Sequence, residues 1–191
     1  AMATPPPYPQ SGLTLLELLI SMTVLLISAS IALPSFSRVI EEHRSEQVIL
    51  QLYGIIQKSR HHAITHNSHI VLCKSHDLSN CGGSWKDGIL VFIDTDGNHS
   101  LSGADVLLHT IRNPFHEGEL HWRSFGNKSH LEFLPSGSTN YQNGTFTYCI
   151  DKSDVKKARG ISITVTGRPQ IAFDRNGDGV RENSSGTPLR C

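Results

Sequence analysis

Two short segments of the chain alternate acidic and amide side chains at the spacing of calcium-binding loops. In the first segment, Asp94, Asp96 and Asn98 stand at positions one, three and five, and Asp105 falls at position twelve. Calcium loops place oxygen ligands at these positions and a glycine at position six, where the chain turns sharply. His99 stands at position six here, so the match to a calcium loop is incomplete.

The second segment repeats this spacing with Asp174, Asn176 and Asp178. Gly179 stands at position six, as a calcium loop requires, whereas position twelve is Ser185. Asp, Asn and Gly are also the residues that form tight hairpin turns without any ion. The sequence therefore predicts either a Ca²⁺ site, for which the second segment is the better candidate, or two polar turns. It predicts no other cofactor.

Positive charge is concentrated near the C-terminus, although the 17 basic and 17 acidic residues of the whole chain balance. This balance excludes a strongly basic nucleic-acid binder of the histone kind. Residues 150–191 carry eight basic and five acidic side chains, and Arg168 lies there in a Gly-Arg-Pro-Gln turn between two predicted strands. Four further cations accompany it: Lys156, Lys157, Arg159 and Arg175. The region is either a local anion-binding patch or, at Arg168, an arginine in an ordinary turn.

The chain contains 11 histidines, of which His62 and His66 stand four residues apart on a predicted helix. Such a pair can bind a metal ion from one helix face, but no glutamate completes the H-E-x-x-H pattern of zinc enzymes. We interpret these histidines as exposed, partly titrating side chains. No arrangement of Ser, His and Asp or of paired carboxylates indicates catalysis, so we expect no enzyme.

Four cysteines, Cys73, Cys81, Cys149 and Cys191, lie in the polar part of the chain without the spacing of a zinc site. An even number favours disulfides formed in an oxidising compartment. Of the three possible pairings we favour Cys73–Cys81 with Cys149–Cys191, because the short gap between the first two is rich in turn-forming residues and predicts a closed loop. The alternative is four reduced thiols.

A long helix precedes these polar segments. Residues 13–33 contain one formal charge, Glu17, and at a rise of about 1.5 Å per residue they are about as long as a bilayer core is thick. From Phe36 to Ala63, apolar residues recur every three or four positions, which predicts an amphipathic helix. We expect Pro34 to interrupt the helix between these two parts.

Glu17 is costly inside an apolar helix, by at least about 2.5 kcal/mol, and therefore requires a partner. Cutting the chain between Gly12 and Leu13 would leave a free α-amine at Leu13. That amine, on the same or a neighbouring subunit, is the obvious counter-charge. The alternative is that Glu17 lies close enough to the lipid headgroups to be solvated.

After about residue 66 the chain changes to short apolar runs separated by turn residues, which predicts strands. The predicted strands are 70–73, 88–94, 106–112, 120–125, 131–134, 145–150, 160–166 and 170–173. No helix of ordinary length appears among them, so a parallel βαβ fold is not expected. The expected fold class is α+β, with a long N-terminal helix, transmembrane and then amphipathic, packed on antiparallel β-sheets. The chain then divides into residues 1–12, 13–34, 35–66 and a β-rich domain of residues 67–191.

Residues 11–19, SGLTLLELL, resemble the class III signal of type IV prepilins and type II secretion pseudopilins. In that family a dedicated peptidase cuts after the glycine and methylates the new N-terminus. The resemblance implies that residues 1–12 are a leader peptide, that Gly12 is the cut site and that Leu13 is the new N-terminus. It also implies that Glu17 is the assembly residue and that Pro34 is the helix-breaking proline found in many members.

The middle of the chain is similar to the GspH/FimT branch of minor pilins and pseudopilins. The similarity is carried by Cys73, Cys81, Trp85, Gly88, Val91, Phe92, Asp94, Asp105, Phe133, Pro135, Gly137, Gly144, Thr145, Phe146 and Cys149. DNA-uptake members of this branch carry Gly-Arg-x-Arg where this chain has Arg168 followed by Gln170. The missing second arginine weakens a DNA site, because affinity grows with the number of phosphates neutralised.

The resemblance therefore implies a minor pilin or pseudopilin, a structural subunit that primes or caps a type IV pilus or a type II secretion pseudopilus. The alternative is a DNA-binding minor pilin that acts in DNA uptake, and a third interpretation is a simple membrane-anchored periplasmic domain. The expected partners are other minor pilins, the major subunit, the prepilin peptidase, the inner membrane and, in the alternative, DNA. We expect a single pass through the inner membrane, a periplasmic β-rich domain, and a place in the filament after assembly.

Overall fold

A computed structural model of the chain describes residues 14–112 and 117–191, and of residues 31–38 it describes the backbone alone. Its elements, in chain order, are α1 (Leu15–His66), β1 (Ile70–Lys74), β2 (Gly88–Ile93), β3 (Val106–Arg112), β4 (Glu119–Ser124), β5 (His130–Phe133), β6 (Gly144–Cys149), β7 (Arg159–Ile163) and β8 (Pro169–Ile171). Each predicted strand overlaps one of these strands, in the same order. The predicted α+β class is confirmed.

Both ends of α1 are closed by local hydrogen bonds. At the start, the hydroxyl of Thr14 accepts a hydrogen bond from the backbone N–H of Glu17 at 3.2 Å, as an N-cap does. At the end, Asn67 adopts a left-handed backbone with φ 48°. The N–H of Ser68 then donates to the carbonyl of Ala63 at 3.1 Å, which is the Schellman arrangement. The helix therefore begins and ends where its polar groups find partners.

The helical backbone continues through Pro34. The interruption expected at this residue is therefore not present. Proline removes one N–H donor from a helix. The helical backbone on both sides of Pro34 keeps its regular structure despite the loss of this one hydrogen bond. The chain forms two compact units, Ala1–Ile40 and Glu41–Cys191, which we describe separately.

The sequence predicts a membrane span over residues 13–34. Among the residues that the structure describes, no helix is long and apolar enough to cross a membrane. Side chains in this segment are described over residues 14–30, a shorter stretch than the predicted span.

Two antiparallel sheets of four strands each make up the β-rich part. The first sheet has the order β3-β2-β1-β5, and the second has the order β4-β6-β7-β8. In the first sheet, Ile70 of β1 pairs with Ile93 on one side and Phe133 on the other. In the second, Phe146 of β6 lies between Trp122 and Ile161. These registers direct the apolar side chains of both sheets toward a shared core.

The main hydrophobic core lies between the later part of α1 and the two sheets. The helix contributes Ile49, Leu52, Ile56 and Ala63, all of them buried. The strands contribute Ile70, Leu72, Ile89, Val91, Leu120, Leu131, Phe133, Phe146, Tyr148, Ile161 and Ile163. The predicted amphipathic stripe is therefore confirmed over this part of the helix. Its first members differ, since residues 39 and 40 are exposed.

The opposite faces of both sheets are covered as well. Apolar side chains of β1 and β2 pack there against partly buried residues of the following loops: Val71, Cys73, Leu90 and Phe92 against Leu78, Cys81 and Leu101. Burial on both faces explains why β1 and β2 are continuous apolar runs rather than alternating patterns. On the second sheet, a smaller cluster is completed by the C-terminal segment: Cys149, Ala158, Ala172, Leu189 and Cys191.

Candidate functional site

The predicted processing residues, Gly12 and Leu13, lie outside the described residues. Glu17 lies in the first turn of α1, where its backbone N–H is bound to Thr14. Its carboxylate forms no ion pair with any residue that the structure describes. The pairing of Glu17 with an α-amine at Leu13 therefore stays a prediction.

The helix around Glu17 exposes apolar side chains over its whole circumference. Ten large apolar residues of this segment are at least 48% exposed. They are Leu15, Leu16, Leu18, Leu19, Ile20, Met22, Val24, Leu25, Leu26 and Ile27. Successive helical residues are rotated by about 100°, so a nearly unbroken run of this kind leaves no polar face. Burying one such side chain is worth about 1.5–3 kcal/mol, so an apolar environment around this segment would stabilise it.

Both favoured disulfides are present, with Cys73 bound to Cys81 and Cys149 bound to Cys191. The first closes a loop in which the carboxylate of Asp77 accepts hydrogen bonds from the loop's own amides. The second joins the end of β6 to the C-terminal segment and holds that segment over the second sheet. The turn residues between the first two cysteines thus have the structural role expected of them.

Arg168 is exposed in the turn between β7 and β8. The preceding Gly167 has φ 75°, and a Cβ placed on it would lie 1.9 Å from the carbonyl oxygen of Gly137. Arg60 of α1 donates from Nε to that same carbonyl at 2.8 Å. Only glycine fits such a close approach of two backbones. Gly167 therefore has a structural function, which is to let the turn approach Gly137 beside Arg60 of α1, whatever Arg168 binds.

The other predicted cations do not form one patch. Arg159 is 9% exposed, and its NH1 donates to three neighbouring backbone carbonyls. Lys157 forms an ion pair with Glu41 at 3.1 Å. The guanidinium of Arg175 lies over the ring of Phe173, 4.8 Å from its centroid. Each of these three cations already has a partner within the protein.

Arg159 is the first residue of β7, whereas Arg168 lies in the turn that follows the strand, so the length of the strand separates them. Burial lowers the pKa of the Arg159 guanidinium, because a charged group loses its hydration inside the protein. Arg159 is thus a structural residue of the turn before β7, whereas Arg168 and Lys156 are exposed.

The first acidic loop, residues 94–105, is organised by its own carboxylates. Asp94 accepts hydrogen bonds from the N–H groups of Gly97 at 2.8 Å and His99 at 3.0 Å. One oxygen each of Asp94, Asp96 and Asp105 lies within 4.8 Å of the others. The loop thus brings together three residues of the predicted calcium set.

The second acidic loop, residues 174–182, has a similar arrangement. Asp174 accepts hydrogen bonds from the N–H groups of Gly177 and Gly179, and the bond from Gly179 does most to lower the pKa of Asp174. One carboxylate oxygen each of Asp174, Asp178 and Glu182 lies within 4.8 Å of the others. Glu182 is buried and is not part of the calcium-loop spacing. Hydrogen bonds within each loop explain both groupings without an ion, so Ca²⁺ binding stays a prediction.

The structure assembles histidines that the sequence places far apart. Glu132 of β5 is buried, and its carboxylate accepts hydrogen bonds from Nδ1 of His69 at 2.8 Å and Nε2 of His99 at 3.2 Å. The ring of His130 stacks on that of His99 with centroids 4.5 Å apart. The spacing of these residues in the sequence does not predict this group. The one sequence signal is His99, which stands where a calcium loop requires glycine. His62 and His66, in contrast, stack on each other along α1.

Two family models match the chain. The model described as type II transport protein GspH matches residues 49–167, which is more than half of the chain. The model of the prokaryotic N-terminal methylation motif matches residues 8–33, a range that includes Gly12, Leu13 and Glu17. No curated protein is similar enough in sequence to be matched.

Among solved structures, the type IV minor pilin FimU of Pseudomonas aeruginosa has a similar fold. One crystal form matches with a TM-score of 0.54 and 21% identity, over 70% of this chain and 91% of the FimU chain. A second crystal form matches with a TM-score of 0.51 and 21% identity, over 67% and 92%. This likeness confirms the fold expected from the resemblance, a long helix packed on antiparallel sheets.

Proposed function

Since the chain belongs to the family of the type II transport protein GspH and carries the prokaryotic N-terminal methylation motif, we propose that it is a structural subunit that primes or caps a type IV pilus or a type II secretion pseudopilus. Minor pilins and pseudopilins are membrane-anchored subunits that assemble with other pilins. The observation that carries the proposal is the apolar surface of residues 15–27, which has Glu17 in its first turn.

This surface needs an apolar environment in each state of the subunit. Before assembly the lipid of the inner membrane surrounds it, in a single pass over residues 13–34. In the filament, apolar helices of other minor pilins and of the major subunit replace the lipid. After the prepilin peptidase has cut behind Gly12, Glu17 pairs with the α-amine of a neighbouring subunit, which removes the cost of an unpaired carboxylate among apolar side chains.

Two disulfides support a periplasmic location for residues 67–191. Disulfides form and persist in oxidising compartments, of which the bacterial periplasm is one. Both lie in the β-rich domain, at Cys73–Cys81 and Cys149–Cys191. The domain therefore faces the periplasm while the subunit waits in the membrane.

The geometry favours this structural role over DNA capture. A phosphate-binding site needs several exposed cations close together. Here Arg159 is buried and Lys157 is paired with Glu41, while Gln170 stands where a second arginine would strengthen Arg168. We therefore do not propose DNA uptake as a second function.

The test is incorporation of the full chain into filaments, in a bacterium whose own copy of this subunit is deleted. Glu17→Ala should lower the amount of chain in sheared filaments about tenfold or more. It removes the carboxylate that pairs with the neighbour's α-amine, and a loss of about 1.4 kcal/mol in the free energy of assembly already changes the equilibrium tenfold. Glu46→Ala, which changes an exposed glutamate on the same helix, should leave incorporation unchanged. Equal incorporation of both variants, at equal levels in the membrane fraction, would contradict the proposal and favour a membrane-anchored domain.

A further inference from the structure

The buried carboxylate of Glu132 is surrounded by imidazoles and amides rather than by lysine or arginine. Glu132 is 3% exposed on β5, an edge strand of the first sheet. Its oxygens accept hydrogen bonds from His69, His99 and the side-chain amide of Asn140, the last at 3.2 Å. Within the described part of the chain, its ion-pair partners are histidines alone. A buried carboxylate normally has a compensating cation. Here a full positive charge arises only if one of the histidines is protonated or if a cation binds beside Glu132.

His99 reaches Glu132 from a backbone conformation that disfavours a side chain. Its φ is 59°, in the left-handed region that glycine adopts without cost. The N–H of His99 is held by Asp94 at 3.0 Å while its Nε2 lies 3.2 Å from Glu132. Non-glycine residues keep such conformations where surrounding structure holds them, and they concentrate at ligand-binding sites. This observation is independent of the buried carboxylate.

His130 completes the group from β5, where its ring stacks on that of His99 with centroids 4.5 Å apart. The side-chain amide of Gln142 lies 3.1 Å from Nε2 of His130 and accepts a hydrogen bond from the N–H of Glu132. Because the oxygen of this amide is on the Glu132 N–H, its nitrogen faces the ring, and the amide ties His130 to the backbone of Glu132.

We propose that His99, His130 and Glu132 bind a divalent transition-metal ion of the zinc class. One ligand atom of each residue lies within 4.8 Å of the others. Ligands of a tetrahedral zinc ion lie about 2.0–2.1 Å from the metal and therefore about 3.4 Å from each other. His99 Nε2 and Glu132 Oε2 already stand 3.2 Å apart. Two imidazoles and one carboxylate suit zinc and its neighbours rather than the all-oxygen preference of calcium.

The ion has a route to the site and a structural effect there. The side chain of His99 is 34% exposed, so the site opens to solvent on the side of the first acidic loop. Bound there, the ion joins that loop to β5 and neutralises the buried carboxylate. Because it binds the folded chain alone, it stabilises the fold by an amount that grows with the logarithm of the free ion concentration once this exceeds the Kd.

The test is titration of the full chain, without an affinity tag and in detergent micelles, with Zn²⁺ in competition with a chromophoric chelator. Wild-type chain should bind one Zn²⁺, and binding should weaken as the pH is lowered. His99→Gly and Glu132→Gln should each weaken binding about tenfold or more. Co²⁺ serves as a second probe, because its visible absorption reports tetrahedral coordination by nitrogen and oxygen.

Two features of this design separate loss of the site from loss of the fold. His99→Gly places glycine at a left-handed position and should fold at least as well as wild type, which thermal unfolding without metal checks. His66→Ala removes a histidine of the rival pair on α1 and should leave binding unchanged. The proposal is overturned if wild type binds no stoichiometric Zn²⁺, if both site variants bind like wild type, or if His66→Ala abolishes binding.

Discussion

The two parts of α1 have the same secondary structure and similar apolar residues, yet opposite surroundings. In residues 15–27 apolar side chains cover the whole circumference and are exposed, as Leu18 is at 48%. In residues 41–66 they form one stripe, on which Leu52 is fully buried while Leu50, two residues earlier, is 53% exposed. Helix propensity does not distinguish the two parts. The difference lies in whether the rest of the same chain supplies the burial.

This contrast separates the two functions of the helix. The later part completes a core with the two sheets, so residues 41–191 hold together through their own contacts. The earlier part has its apolar surface free for lipid and for other subunits. We therefore expect substitutions to affect folding in one part and assembly in the other.

The largest expected difference in folding comes from making the same leucine-to-alanine change in each part of the helix, in two separate variants. Leu52→Ala should lower the free energy of unfolding by about 2–5 kcal/mol, because it leaves a cavity in the core. Leu18→Ala should change it by no more than about 0.5 kcal/mol, as is usual for exposed positions. Urea unfolding of the full chain in detergent, followed by the fluorescence of Trp85 and Trp122, measures both.

Leu50→Ala is the matched control within the later part. It should behave like Leu18→Ala, since both side chains are about half exposed and neither leaves a cavity. A loss at Leu18 as large as that at Leu52 would mean that the first part of the helix belongs to the same cooperative unit, which would break the contrast between the two parts.

A second effect, of intermediate size, concerns the two disulfides of the β-rich domain. Removing Cys149–Cys191 by serine substitution should cost about 3.9 kcal/mol and removing Cys73–Cys81 about 2.5 kcal/mol, because the bridges span 42 and 8 residues and longer loops lose more entropy when closed. Urea unfolding of the two double-serine variants measures the difference.

The two bridges are well matched for this comparison, since Cys73 is 2% exposed and Cys149 is 1% exposed. The longer bridge also holds the C-terminal segment over the second sheet. An equal loss in both variants would show that this segment stays in place without its covalent link, and that loop entropy does not set the cost.

Much of the fold was predictable because its signals are local. The strands alternate or run apolar between turn residues, and the loop from Cys73 to Cys81 carries its own turn chemistry. The continuation of α1 through Pro34 was not predicted, because proline is a local signal that the surrounding helix outweighs. The exposure of residues 39 and 40 was also missed, since a helical period shows which residues share a face but not how far the partner surface extends.

The candidate sites were harder to predict, because tertiary structure makes them. His99, His130 and Glu132 come from a loop and a strand that only the fold brings together, and no spacing rule connects them. Arg159 was grouped with the exposed cations by composition alone, whereas the structure buries it against three carbonyls. In the second acidic loop, Glu182 joined the carboxylates through the return of the chain after Phe173.

The smallest of the expected effects is a pH dependence that arises in the β-rich domain. The folded-state pKa of His130 is lowered, chiefly by burial and then by His99, against the opposing charges of Glu132 and Asp94. The unfolded chain therefore takes up a proton near the ordinary value of 6.5 while the folded chain resists it. Stability from this group is complete above that value and is lost as the pH falls below it, by at most about 1.4 kcal/mol per pH unit.

His130→Gln cannot take up this proton, so its free energy of unfolding should fall less steeply than that of wild type between about pH 7.5 and 5.5. Urea unfolding at several pH values, with a chelator present to remove metal ions, measures the two slopes. Leu18→Ala is the control from the other part of the chain and should keep the wild-type slope, because it changes no titratable residue. A slope in His130→Gln as steep as in wild type would place the proton uptake elsewhere, and a changed slope in Leu18→Ala would show that the two parts of the chain do not fold independently.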